Sequence, residues 1–310
     1  MSQNNEATPI LIHAIHPDNA ANFQALAGTS PTNIRKTRNA LKTMCTNCFK
    51  NEPGLKLSRC GKCKGVWYCS HECQKNHWPV HKQVCTNVDG SGIQRLVQNL
   101  YSNPLLAQHL QACFILEFDL LHRPQLDAPF MARVDIGIEP ADISEFFNIF
   151  IGKPLPSGKI KGMLQVNKFT PVPPEAMADL TQTRKEIWRA ARESADTMGY
   201  RGRDSVGLVE FGNGESPMTI TCPMHIQRSV MDLVRESPPW VMKSAITGEV
   251  TEAAFNIENC MQFINTHIRA DKNDQLLLRT DMRPSDIQFL ADCWPMGRIQ
   301  HPKKIMVDTA

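Results

Sequence analysis

The sequence lacks a long hydrophobic run and an export signal. Its longest apolar stretches, such as Ala112 to Leu121, are interrupted by acidic residues and fall short of the roughly 18 residues that suggest a membrane-spanning helix. The first residues form neither a basic region nor an apolar core, so no secretory signal is predicted. We therefore expect no membrane partner and a location in the cytoplasm, the nucleus or both, where thiols stay reduced.

The motifs of several common enzyme classes are also missing. The sequence contains no G-x-G-x-x-G, P-loop, H-E-x-x-H or G-x-S-x-G pattern, so no catalytic residue is predicted. Cys222 and His225 are close in sequence, but they fall in a predicted strand with Pro223, which favours packing roles. Three further cysteines are expected to be small buried apolar residues: Cys113, Cys260 and Cys293.

The net charge is only +3, but it is unevenly distributed. From Pro31 to Val88 there are 11 Lys and Arg against Glu52 and Glu72, a formal +9, while the rest of the chain is mildly acidic. Thiolates binding two Zn²⁺ would reduce the charge of this region to about +6. A basic module of this kind can attract nucleic acid or an acidic protein surface, and charge alone does not choose between them.

Seven of the eleven cysteines lie within 41 residues, beside one histidine. Their order is C-x2-C-x11-C-x2-C-x5-C-x3-C-x7-H-x3-C, formed by Cys45, Cys48, Cys60, Cys63, Cys69, Cys73, His81 and Cys85. Each C-x2-C pair suits a tight turn that directs two sulfurs at one metal, and the eight donors make two tetrahedral sets of four. Nearby lysines and arginines favour the thiolate form.

Other uses of clustered cysteines fit this pattern less well. A disulfide framework is not expected in a reducing compartment. Redox exchange does not need eight donors, and an iron–sulfur cluster would not need His81. Zinc is the metal that best suits thiolate-rich tetrahedral sites. Spacing alone leaves sequential and interleaved pairing open, but four protein donors per ion leave no position for substrate, which indicates two structural zinc ions.

The ligand order from Cys45 to Cys85 resembles the MYND zinc finger at all eight positions. The resemblance implies a small, cross-braced finger with interleaved ligation. Two ligand sets follow from it: Cys45, Cys48, Cys69 and Cys73 for the first zinc, and Cys60, Cys63, His81 and Cys85 for the second.

The same resemblance implies a peptide-binding surface. In MYND fingers that bind peptides, a Gln directly after the sixth ligand and a Trp four residues later help to form a shallow groove for extended P-x-L-x-P segments. Gln74 and Trp78 occupy those positions here. Between Cys60 and Cys63 this chain has Gly61-Lys62, a departure from the small hydroxyl residue of some peptide binders. The alternative is that Trp78 belongs to a small core over the second zinc.

The chain is predicted to have three parts. Residues 1–44 form an N-terminal segment with one helix, residues 45–85 form the finger, and residues 93–310 form an α+β domain of unknown function. Asp89-Gly90-Ser91-Gly92 predict a hinge between the last two parts. Mixed strands and helices without regular βαβ units make α+β the expected fold class.

The predicted elements follow hydrophobic periodicity. Ser70 is predicted to cap a turn that contains Glu72 and Cys73. A finger helix is expected from about Gln74 to Val84, with a kink or a two-helix arrangement at Pro79. In the C-terminal region, strands are predicted at 130–138, 160–169, 206–211, 218–226 and 275–279. Two helices are predicted within 93–121, the second starting at Pro104, and further helices at 140–150, 174–198, 227–234, 257–268 and 285–292.

The C-terminal region resembles the companion region of MYND-finger proteins abundant in mushroom-forming fungi. The similarity rests on three strings, 135–140, 161–166 and 263–271, and implies no catalytic residue. A polar cluster in and after the last string could form a site or simply a solvated helix end: His267, Arg269, Asp271, Lys272 and Asp274. The chain lacks the Asn-His-Ser-Cys run that SET lysine methyltransferases with a MYND finger carry after it.

Three interpretations of function remain at this point. The leading one is a non-enzymatic adaptor whose finger binds proline-containing segments of protein partners, with transcriptional regulation as one setting. The second is an enzyme of unrecognised type in residues 93–310, with the finger used for targeting. The third, which is not favoured, is binding of nucleic acid by the basic finger.

Overall fold

The computed structural model describes residues 30–40, 44–50, 52, 54–63, 66–83, 85, 91–151, 159–197, 204–213, 219–243 and 247–293. Within these ranges the chain has the expected α+β character, with one five-stranded sheet and two small hairpins. The helices are α1 Pro31–Ala40, α2 His71–His81, α3 Ser91–Tyr101, α4 Pro104–Glu117, α5 Ile143–Phe150, α6 Pro174–Met177, α7 Gln182–Thr197, α8 Arg228–Glu236, α9 Ile257–Ala270 and α10 Pro284–Cys293. The strands are β1 Ser58–Arg59, β2 Trp67–Tyr68, β3 Met131–Pro140, β4 Lys161–Pro171, β5 Val206–Gly212, β6 Thr219–His225, β7 Trp240–Lys243, β8 Val250–Ala253 and β9 Arg279–Asp281.

The large sheet has the strand order β6-β5-β3-β4-β9. Strands β3 and β5 are parallel, and the other neighbouring pairs are antiparallel. The predicted alternation in β3 is confirmed, since Val134, Ile136 and Ile138 are all buried. They belong to a core shared with α3, α4, α8 and α9. A second, smaller apolar cluster joins β3 and β5 to Ile187 and Trp188 of α7.

The single helix predicted from residue 174 to residue 198 is wrong, because the chain forms two helices there. Helix α6 ends after one turn, and Leu180 then turns into the smaller apolar cluster. Thr181 starts α7, since its Oγ1 accepts a hydrogen bond from the backbone N–H of Arg184. Burial of one side chain therefore outweighs the helical periodicity. Gly199, predicted to end the helix, lies outside the described residues.

Other differences concern short segments. The strand predicted at 275–279 is shifted to β9, because the Asp271 carboxylate accepts backbone hydrogen bonds from Gln275 and Leu276 and holds them in a turn. The β7–β8 hairpin was not predicted. Ser91 and Gly92 of the predicted hinge are the first residues of α3, while residues 89–90 lie outside the described part of the chain.

The edge of β4 is completed by a side chain. Strand β9 pairs only with Lys161–Met163, and further along, helix α9 places Asn265 against Val166. The backbone N–H of Val166 donates to Asn265 Oδ1, and Asn265 Nδ2 donates to the Val166 carbonyl, both at 2.8 Å. One carboxamide thus replaces a neighbouring strand next to a β-bulge, where backbone groups would otherwise be buried without partners.

Replacing Asn265 with Ala should destabilise the sheet domain by about 3 kcal/mol, because two buried backbone groups lose their partners. Urea unfolding of the full chain would measure this. Asn259→Ala is the matched control on the same helix, since its Nδ2 donates to Ala254 in an exposed position. A loss for Asn265→Ala no larger than that of the control would contradict the edge-capping role.

Helices α4 and α9 meet around stacked rings. His109 lies parallel to Phe263 with ring centroids 3.7 Å apart, and His267 lies 4.1 Å from Phe263 on its own helix. Trp240 of the β7–β8 hairpin packs edge-on against Phe263 at 5.2 Å. Both histidines are buried, so this contact places two titratable groups inside the domain.

Helix α1 is tied to the C-terminal region. Ile34 is fully buried, and the Arg38 guanidinium donates to Asn99 Oδ1 of α3 at 2.9 Å. Asn99 in turn donates to the Leu277 carbonyl at 2.8 Å. Among the described residues, no helix is both long enough and apolar enough to cross a membrane.

Candidate metal centre

The finger is built from two tight turns, a small hairpin and one helix. In the first turn, the backbone N–H of Phe49 donates to the Cys45 carbonyl, and Cys45 donates to the Lys50 carbonyl. Strand β2 lies between β1 and Thr46, whose N–H donates to the Trp67 carbonyl at 2.8 Å. These contacts bring the first C-x2-C turn beside the hairpin and α2.

Helix α2 begins earlier than predicted. It starts at His71 directly after Ser70, whose Oγ accepts the backbone N–H of Cys73 at 3.1 Å, as expected of the cap. Pro79 lies inside the helix, which ends at His81. Val84, the predicted end, lies outside the described residues. The helix contributes one ligand at its start and one at its end, to different clusters.

The first cluster contains Cys45, Cys48, Cys69 and Cys73, whose sulfurs all lie within 4.8 Å of one another. The Cys48–Cys69 and Cys69–Cys73 sulfur distances are both 3.5 Å. A zinc ion with Zn–S bonds of about 2.3 Å needs tetrahedral edges of about 3.8 Å. Disulfide bonding would need about 2.05 Å, so the spacing fits a metal site.

The second cluster contains Cys60, Cys63, His81 and Cys85, and all four side chains are buried. His81 Nε2 lies 3.4 Å from the sulfurs of both Cys60 and Cys63, and the Cys60–Cys85 sulfur distance is 3.8 Å. The chain thus groups its eight donors in two interleaved sets. The prediction of two zinc ions as cofactors is confirmed by these clusters.

Electrostatics of the first turn favour a thiolate at Cys45. Burial raises the pKa of this thiol, but hydrogen bonds from the backbone N–H groups of Cys48, Cys69 and Asn47 outweigh it and lower the pKa to about 6. The reverse holds at Cys69, where a hydrogen bond with Cys73 is the main cause that raises the pKa to about 12. Four neighbouring thiols cannot all ionise without a cation, and Zn²⁺ supplies the missing positive charge.

Two residues beside His81 were not recognised from the sequence. His77 lies one helical turn earlier and stacks on His81, with ring centroids 5.7 Å apart. The buried Tyr68 hydroxyl lies 2.9 Å from His77 Nδ1. Burial lowers the pKa of both histidines, which favours the neutral imidazole that a metal requires. The four-residue spacing of His77 and His81 was the available signal.

The predicted peptide-binding residues lie on α2. Trp78 is 43% exposed, and its ring packs edge-on against His81 with centroids 5.9 Å apart. Gln74 is half-buried one turn earlier on the helix. The structure therefore places Trp78 against the second cluster and, at the same time, at the surface. By contrast, Trp67 is half-buried under the Arg59 guanidinium.

The three strings singled out in the C-terminal region meet in space. Arg269 of α9 forms a two-pronged ion pair with Glu139 of β3 at 2.7 and 3.0 Å, and donates to Gln165 Oε1 of β4 at 3.0 Å. Asp271 holds the following turn, as described above, and Asp274 accepts the backbone N–H of Arg279 at 2.9 Å. These contacts stabilise the end of the sheet, and because His267 and Asp271 are buried, the cluster is not the solvated helix end that was the alternative to a site. Among the described residues, the two finger clusters are the only groups with metal-ligand geometry.

Relatives of the finger are found in a class of enzymes. A segment of 56 residues is 45% identical to the N-lysine methyltransferase SMYD2-B of Xenopus laevis, covering 18% of this chain and 13% of that protein. The N-lysine methyltransferase SMYD2 of Gallus gallus is 51% identical over 41 residues, and that of Homo sapiens 50% over 42 residues, each match covering 9% of the relative. The chain thus spans about a tenth of these relatives, and the similarity lies in the finger.

Family models account for most of the chain. The MYND finger model matches residues 45–85, the segment that holds both clusters, so the finger is a zinc-binding interaction module. No solved structure matches the chain significantly. A second model, the domain of unknown function DUF8205, matches residues 88–309, well over half of the 310 residues. The chain therefore belongs to the DUF8205 family and carries a MYND finger ahead of that domain.

Proposed function

We propose that the finger recognises an extended, proline-containing segment of a partner protein through Trp78 and Gln74. The observation that carries the proposal is an indole that is held in place yet exposed. Contact with the His81 ring fixes one edge of Trp78, while 43% of the residue stays accessible. An exposed aromatic ring on a rigid support is a common anchor for proline-rich chains, which adopt an extended helix at low entropic cost.

Gln74 supports the same surface. It precedes Trp78 by four residues, so both side chains project from one face of α2. No hydrogen bond of its side-chain amide is found within the described residues, whereas its backbone N–H donates to Ser70. The carboxamide can therefore donate to and accept from a peptide backbone. Gly61-Lys62 would influence which peptide fits, because they form the turn between two ligands of the second zinc.

The rest of the chain is assigned an accompanying role. In this proposal the DUF8205 domain positions the finger or binds a second partner, and transcriptional regulation is one setting in which such an adaptor would act. Methyltransferase activity is not proposed, because the similarity to those enzymes lies in the finger and covers about a tenth of their length.

Trp78→Ala should weaken binding of a proline-containing peptide by about 2 kcal/mol, or roughly thirtyfold, because a central aromatic anchor is lost. Fluorescence polarisation with a library of labelled proline-containing peptides and the zinc-loaded full chain would measure this. Val80→Ala is the matched control, since it removes another exposed apolar side chain, 64% accessible, from the same helix. Equal peptide affinity of wild type and Trp78→Ala would rule out this surface.

A further inference from the structure

Four arginines from three separate elements converge beside the finger. Arg35 and Arg38 belong to α1, Arg59 to β1 of the finger, and Arg95 to α3 of the DUF8205 region. Burial lowers the pKa of Arg38, and the positive charges of Arg95, Arg35 and Arg59 lower it further. Each of these three charges thus acts on Arg38, and the hydrogen bond from Arg38 of α1 to Asn99 of α3, one helical turn after Arg95, places these two helices side by side.

Two of the four arginines are held in place by contacts. Arg38 is anchored to buried Asn99 at 2.9 Å, and Asn99 is anchored to the Leu277 carbonyl. The Arg59 guanidinium carbon lies 4.2 Å from the centre of the Trp67 ring, a cation–π contact that also orients it. Arg35 and Arg95 are exposed on their helices.

Each of the four arginines in the cluster carries a formal positive charge. Within the described part of the chain, none of the four arginines forms an ion pair with an Asp or Glu side chain, although surface arginines elsewhere do so, such as Arg123 with Asp119. Like charges held together destabilise the free protein. An anion placed between them would relieve the repulsion, so the arrangement indicates a binding site.

We propose that this arginine cluster binds the phosphodiester backbone of a nucleic acid, as a site separate from the peptide surface. A guanidinium presents two parallel N–H donors that match two phosphate oxygens. The finger also carries exposed lysines that form no ion pair among the described residues: Lys50, Lys56, Lys62, Lys75 and Lys82. This number of positive charges in and beside the finger fits a polyanion with regularly spaced charges better than it fits one phosphorylated side chain.

The double variant Arg35→Gln/Arg95→Gln tests the site, because both side chains are exposed and their loss should leave the fold intact. Fluorescence anisotropy of the zinc-loaded full chain would be measured with a labelled mixed-sequence oligonucleotide, single-stranded and as a duplex, over a series of salt concentrations. We expect sequence-independent binding by wild type, weakened about tenfold in the variant. The slope of log affinity against log salt should fall by about two, since two phosphate contacts are lost.

The matched control is Lys168→Gln/Arg228→Gln, which removes two exposed charges from other parts of the domain. It should bind the oligonucleotides within about twofold of wild type, and Trp78→Ala should do the same if the two sites are separate. Three outcomes would overturn the proposal: no binding by wild type, an equal loss in both double variants, or tighter binding of a labelled Glu-rich peptide than of either oligonucleotide.

Discussion

Removal of zinc should unfold the finger and leave the DUF8205 region folded. The finger has almost no apolar core of its own, because its buried cluster consists of the ligands Cys45, Cys60, Cys63 and Cys85 together with Tyr68. A segment of about 41 residues cannot fold on so little apolar burial. Metal binding must supply the missing stability, on the order of 10 kcal/mol per site. The sheet domain has an independent core and no predicted metal ligand.

Limited proteolysis and circular dichroism, with and without a chelator, would measure this difference. Cleavage should become rapid between residues 45 and 85 and remain slow across β3, β4 and α9. Cys45→Ser should reproduce the effect of the chelator on the first site, while Cys222→Ser, a cysteine of the sheet, should leave the zinc content unchanged. A finger that resists protease after metal loss would contradict this account.

Acidification should destabilise the sheet domain through the two histidines stacked on Phe263. Burial lowers the pKa of His109 and of His267 to about 4, from 6.5, against the opposing effect of backbone hydrogen bonds to Leu105 and Phe263. Between these values the unfolded chain binds protons that the folded chain does not. The contribution of these two neutral histidines to the free energy of unfolding is therefore fully present above pH 6.5 and is lost as the pH falls towards 4. The expected loss is about 3 kcal/mol for each histidine.

Urea unfolding at a series of pH values would measure the loss, with amide hydrogen exchange in β3 and α9 reporting on the sheet domain rather than on the acid-sensitive finger. His109→Phe keeps a flat ring parallel to Phe263 and should remove about half of the pH dependence. His122→Gln is the control, because that histidine is 79% exposed beside Asp119. A pH dependence in His109→Phe equal to that of wild type would exclude the buried pair as its cause.

The features that could be predicted from the sequence depend on neighbours in the chain. The ligand pattern of the finger is local, because the two donors of each pair are separated by only two or three residues. The type and number of these donors identify zinc as the metal and indicate two ions. The interleaved pairing came from family resemblance, because spacing leaves two pairings open. In the sheet, the alternation in β3 predicted its buried face for the same local reason.

The features that could not be predicted depend on contacts between distant residues. Asn265 lies 99 residues from Val166, and its role follows only from the position of α9 against the edge of β4. The break before α7 depends on the apolar cluster that Leu180 joins with residues of β3 and β5, not on a helix-breaking residue at that point. The arginine cluster combines Arg35 and Arg38 of α1 with Arg59 of the finger and Arg95 of α3, a combination that has no counterpart in sequence spacing.

The most direct test of the central claim, that two zinc ions hold a peptide-binding surface, is a nuclear magnetic resonance titration of the full chain with a proline-containing peptide. The side-chain N–H signals of Trp78 and Gln74 should shift and saturate together in the zinc-loaded protein, and should not respond after chelation. Signals that stay unmoved in the zinc-loaded protein, or that shift equally without zinc, would contradict the claim.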